Sequence, residues 1–135
     1  MYPGRSTAIL IDGAFFLTRL SRIESYFRID NACSVIEAER KGADAAELIS
    51  RYCRRHCWQK LGRGDDNGHS QKEQFPLHRI LFYDCPPFEK SVKTPLAKRI
   101  VNFSNLPQTV FRKSLHKNLL RKRKLALRLG IFVRK

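Results

Sequence analysis

Ala8-Ile9-Leu10-Ile11 is a short unbroken apolar run closed by Asp12-Gly13, the pattern of a strand buried on both faces and ended by a turn. From Ala14 the period changes. Phe16, Leu20, Ile23 and Phe27 recur at spacings of four, three and four, which places them on one face of a helix packed on that strand. Residues 28–43 carry no clear period. Asp44, followed three positions later by Glu47, reads as a capping box opening a helix that runs to about Leu61, with Leu48, Ile49, Tyr52 and Cys53 inward. The polar, glycine-rich stretch from Gly62 to Gln74 reads as a mobile surface loop. Leu77–Asp84 (LHRILFYD) is a second apolar run, and Pro86-Pro87 forbids its continuation. Residues 91–107, with Pro95 and Pro107, read as a long connection. A helix follows from about Gln108 to Lys124 with Phe111, Leu115 and Leu119 inward, and then a third strand from Leu125 to Val133. Strand, helix and strand alternate without an internal repeat, so the expected class is α/β with a mainly parallel sheet.

Length and composition narrow this picture. A chain of 135 residues suits one domain, 1–135, and nine Phe, four Tyr and one Trp supply bulky core material. The four cysteines, Cys33, Cys53, Cys57 and Cys85, lack the paired spacing of a secreted scaffold, and no signal-like segment opens the chain. The first apolar stretch is broken by Asp12, Gly13 and Arg19, so no membrane span is supported. A cytoplasmic protein with reduced thiols and no membrane contact is expected.

Charge then selects a class of partner. The chain carries 27 Lys and Arg against 12 Asp and Glu, a net charge of +15. Residues 91–135 hold 13 of the basic residues and no acidic one. Such a field attracts polyanions, and Lys113, Lys117, Arg121 and Lys124, extended by Arg128, form a stripe suited to a phosphate backbone such as that of RNA. A merely solvated helix face would carry the same charges. Few aromatic residues accompany the stripe, which disfavours recognition by base stacking.

Two strands that each end in an aspartate, at Ile11-Asp12 and Tyr83-Asp84, are the strongest candidate chemistry. In a parallel sheet these ends lie along one edge, where ligands of open α/β folds bind and where converging carboxylates suit Mg²⁺ or Mn²⁺. The residues are equally compatible with Asp12 capping the first helix and Asp84 shaping the turn at Cys85-Pro86-Pro87. Other candidates are weaker. Cys53, His56 and Cys57 lack a second cluster to close a zinc site and read better as partly buried thiols. Gly62, Gly64 and Gly68 miss the dinucleotide spacing, and His69, His78 and His116 have no evident nucleophile to serve.

The segments STAILIDGAFFLTRL (6–20), HRILFYDCPPFEK (78–90) and LHKNLLRKRKLALRLG (115–130), in this order and spacing, resemble the opening of the NYN (LabA-like) family of PIN-like nucleases. The resemblance implies a three-layer α/β/α PIN-like fold, a divalent-metal site of Mg²⁺ or Mn²⁺ at the strand ends, and RNA hydrolysis by a metal-activated water. It makes Asp12 the first metal-site aspartate and catalytic residue, with Asp84 beside it. Phe15 stands where many members carry Asn. In that family the third strand leads to KGVD-type and TGDSD-type segments bearing further acids, which do not occur among these 135 residues. The expectation is therefore a domain truncated before its later acidic motifs, inactive or nearly so as a nuclease and prone to self-association through an uncovered strand edge. The alternative is a non-catalytic RNA-binding or regulatory module with a vestigial acidic pocket.

Overall fold

In the computed structural model, which describes residues 6–61, 71–74, 76–96 and 98–130, the two apolar runs form the parallel centre of the fold. β1 (Thr7–Asp12) pairs with β4 (Leu77–Asp84), and β4 pairs with β7 (Leu125–Leu129), both in parallel, giving the order β1-β4-β7. The intervening elements are α1 (Gly13–Ile23), α2 (Val35–His56), a β2–β3 ribbon (Trp58–Leu61 with Gln71–Gln74), a β5–β6 hairpin (Ser91–Lys93 with Ile100–Asn102) and α3 (Pro107–Leu119). The second apolar run is the strand expected, residue for residue. The helix expected at 108–124 stops at Leu119, and a turn leads into β7.

Register decides which side chains share a face. Ile9, Ile80 and Leu125 stand abreast, as do Ile11, Phe82 and Leu127, and this set packs against Leu17, Leu20, Ile49, Phe111, Leu115 and Leu119 from the helices. Ile80 and Phe82 are fully buried. The opposite face carries Leu10, Leu81 and Ala126, then Asp12, Tyr83 and Arg128. There Leu10 is 64% exposed. The expectation of a first strand buried on both faces is thus corrected. Both crossovers step the same way along the sheet, and right-handed crossovers in one direction place their helices on one face. The described residues supply the sheet and one helical face of a general three-layer α/β/α arrangement.

The helix starts are set by local hydrogen bonds. Asp12 caps α1, its Oδ1 accepting from the Phe15 N–H at 3.2 Å. Ser34 caps α2 by accepting from the Glu37 N–H at 3.1 Å, so the helix begins nine residues before the Asp44 start inferred from sequence and ends at His56 rather than Leu61. Its buried positions are Ala38, Gly42, Ala45, Ala46, Ile49, Ser50 and Cys53, mostly small residues that leave a faint apolar period. Tyr52, expected inward, is exposed, as is Ile23 on α1.

Small size at Gly42 lets α2 approach α3 closely. A Cβ there would lie 2.6 Å from the Phe111 carbonyl oxygen and 2.7 Å from Ser114 Cβ. Beside it, the Ser114 hydroxyl donates to the Glu39 carbonyl at 2.6 Å, tying the two helices through a partly buried hydrogen bond. Two irregular stretches also resolve into structure. Gln71–Gln74, placed in a mobile loop from sequence, is a strand paired with Trp58–Leu61, while residues 62–70 of that loop lie outside the described residues. The long connection at 91–107 contains the β5–β6 hairpin.

Candidate functional site at the carboxyl edge of the sheet

Asp12 and Asp84 do end adjacent parallel strands, but one residue apart in register: Asp12 stands beside Tyr83, and Asp84 beside Leu129. Side chains alternate across a sheet, so the two carboxylates leave toward opposite faces. Asp12 is exposed at the open face, with one oxygen engaged in the α1 cap. Gly13 follows because nothing larger fits. A Cβ at that position would meet the Tyr83 carbonyl oxygen at 2.6 Å and the Phe82 ring at 2.7 Å.

Asp84 turns beneath α3, where its side chain is 1% exposed. Its Oδ1 accepts from the Cys85 N–H at 2.8 Å and from the Arg112 guanidinium at 2.9 Å, and its Oδ2 meets His116 Nε2 at 2.8 Å. Arg112 and His116 are four apart on α3 and so share a helical face over the strand end. A carboxylate removed from water needs such partners, because its solvation is otherwise lost without return. Asp84 thereby fixes the β4 exit turn and docks α3. The turn-shaping reading of Asp84 and the capping reading of Asp12 both hold in the structure.

A cleft of about 470 Å³ lies at this edge, lined by Asp12, Tyr83, Asp84, Cys85, Arg128 and Gly130 among others. Arg128 shares the Asp12 face. Asp84 has both oxygens in hydrogen bonds and none directed at a divalent cation, a guanidinium lines the same cleft, and among the described residues no group of three or more His, Cys, Asp and Glu is placed to hold a metal.

The expected basic stripe separates into distinct settings. Lys113 forms an ion pair with Glu89 at 2.6 Å. Lys117 and Arg121 line a groove of about 360 Å³ between α2 and α3, together with Arg40 and Glu39. Lys124, in a left-handed backbone conformation (φ 64°), donates through Nζ to the Leu77 carbonyl at 2.8 Å, and Arg128 belongs to the cleft. Phe15 is exposed with the Arg19 guanidinium 6.0 Å from its ring centre.

His116 is the functional contact that sequence reasoning missed. The signal was its spacing of four from Arg112 on a helix, together with a buried strand-end acid that needed partners. Of the thiols, Cys53 and Cys57 are buried and His56 is exposed. Burial pushes the Cys53 thiol up to about 11, with the nearby Cys57 adding to the effect and Arg54 opposing it.

No family model, curated protein or solved structure matches the chain. Among the described residues no helix is long and apolar enough to cross a membrane.

Proposed function

We propose that this chain is an RNA-binding α/β domain of NYN/PIN-like type, engaging the phosphate backbone at the carboxyl edge of its sheet. The observation that carries the reading is a cleft at that edge with Arg128 on the Asp12 face, in a chain whose last third bears only positive charge. Lys117 and Arg121 add a second basic groove, between α2 and α3. Phosphate contacts of this kind release counterions, so affinity falls steeply as salt rises, with a slope of about 0.7 per contact for a single strand. Arg128, Lys117 and Arg121 carry the contacts, and Lys113 contributes less because Glu89 already neutralises it.

Metal-dependent RNA hydrolysis is the finer reading, and Asp12 favours it, since this carboxylate is exposed at the edge where ligands of open α/β folds bind. Asp84 is a positioning residue in either case. The test is RNA binding by the 135-residue chain over a series of salt concentrations, with Mn²⁺-dependent cleavage followed in parallel. Binding with a slope reduced in Lys117→Ala/Arg121→Ala/Arg128→Ala supports the RNA reading, and an unchanged slope removes the assigned surface. Chelator-sensitive cleavage lost in Asp12→Asn would establish the hydrolytic reading. Binding without cleavage leaves the non-catalytic module.

A further inference from the structure

Between β4 and α3 the chain forms the β5–β6 hairpin, whose described side chains are exposed apolar and basic groups. Leu96 at its tip is 100% exposed, and Val92 and Ile100 are also exposed. Val92 stands opposite Val101 on one face of the ribbon and Ile100 opposite Lys93 on the other; Lys90, Lys93, Lys98 and Arg99 are all exposed, and residues 90–107 contain no acid. A fully exposed apolar tip flanked by cations, with no acid nearby in the chain, suits a contact with something both anionic and apolar.

The hairpin is held as a defined arm. The Thr94 N–H donates to the Arg99 carbonyl at 2.8 Å, the Lys98 N–H to the Thr94 carbonyl at 3.1 Å, and the Arg99 N–H to Thr94 Oγ1 at 3.2 Å. Lys98 takes a left-handed conformation (φ 50°) to close the turn. At the base the Phe88 and Phe103 rings meet edge to face at 5.2 Å, and Glu89 pairs with Lys113 of α3. The arm begins seven residues after Asp84, no more than about 25 Å of extended chain from the candidate cleft.

We propose that this hairpin is an RNA-engaging arm: Lys90, Lys93, Lys98 and Arg99 hold phosphates, and the Pro95-Leu96 tip wedges against the bases at the end of an RNA duplex. It rests on the RNA reading above and names the form of RNA, a duplex end next to a single strand. Compact apolar side chains inserted between base steps unstack them, and flanking cations offset that cost through the backbone. An anionic lipid surface would meet the same charge, but among its described residues the arm offers three exposed large apolar side chains and no amphipathic helix to lie in a membrane interface.

The experiment uses the full 135-residue chain and an RNA hairpin with a single-stranded overhang, carrying 2-aminopurine in the terminal base pair. Binding should raise the 2-aminopurine fluorescence as the end unstacks. Leu96→Ser should remove that rise while weakening binding no more than several-fold, and Lys93→Ala/Lys98→Ala/Arg99→Ala should lower the salt slope by about 2 to 3. Melting temperatures equal to that of the unsubstituted chain would confirm that both variants fold. If both variants keep the fluorescence rise and the slope while Lys117→Ala/Arg121→Ala/Arg128→Ala loses them, the arm is overturned and the RNA reading stands. If the unsubstituted chain binds no RNA, both fail. Binding to phosphatidylserine vesicles but not RNA, lost in Leu96→Ser, would make the arm a lipid contact and overturn the proposal.

Discussion

The two faces of the small parallel sheet carry the same kinds of residue to different ends. On the helix-covered face Ile80 and Phe82 are sealed from water, and the strand end beyond them, Asp84, is locked to Arg112 and His116. On the other face Leu10 stands largely exposed, and the strand end beyond it, Asp12, looks onto solvent in a cleft that Arg128 also lines. One residue of register separates these fates, because the side-chain period of a strand is two. A carboxylate at a strand end is therefore not a candidate ligand until its face is known.

The largest effect should come from stripping Asp84 of its α3 partners. Arg112→Ala/His116→Ala leaves a buried carboxylate with only the Cys85 N–H, and unfolding in urea should show a loss of about 3 kcal/mol, the lower end for a broken buried pair because Arg112 is itself partly exposed. A loss below about 1 kcal/mol would mean that water reaches Asp84 freely.

Equal chemistry on the two faces gives the next contrast. Ile80→Ala should cost about 3 kcal/mol, since it empties a fully buried site. Leu10→Ala, on the same sheet but the open face, should cost less than about 1 kcal/mol in the same assay. Comparable losses would show that the second face is covered in solution, for instance by another copy of the chain, which sedimentation would detect.

The smallest effect lies at the far side of the helices. Lys122 beside Glu47 holds that carboxyl below the usual glutamate range, chiefly by hydrogen bonding. A depressed folded-state value means the pair's contribution is present above the ordinary glutamate range and is lost as pH falls through the lowered value. Because Glu47 is solvent-exposed, Lys122→Ala should raise the Glu47 titration midpoint seen by NMR toward that of a free glutamate while leaving the melting temperature almost unchanged.

Much of this arrangement was legible along the chain, and the remainder was hidden for physical reasons. β4 could be read to its last residue because an apolar run meets two prolines, and the inner face of α3 because Phe111, Leu115 and Leu119 are large and regularly spaced. The first three turns of α2 were not, since Ala38, Gly42 and Ala45 achieve close helix contact by being small, and smallness carries little apolar signal. The β5–β6 strands are too short, at three residues each, to show alternation. At the site, both aspartates could be placed on one edge from sequence. Their opposite faces could not, because the register of β1 against β4 is a long-range fact, as is the approach of His116 to Asp84 across 32 positions.

Asp84 is structural and Asp12 is available, and the neutral, nearly isosteric pair Asp12→Asn and Asp84→Asn tests this most directly when unfolded side by side in urea. Asp84→Asn should lose about 2 kcal/mol or more, having removed the charge that Arg112 and His116 face in a buried position. Asp12→Asn should stay within about 0.5 kcal/mol of the unsubstituted chain, since asparagine caps a helix as well as aspartate does. Equal losses, or a greater loss at Asp12, would contradict the assignment of the two carboxylates to opposite faces.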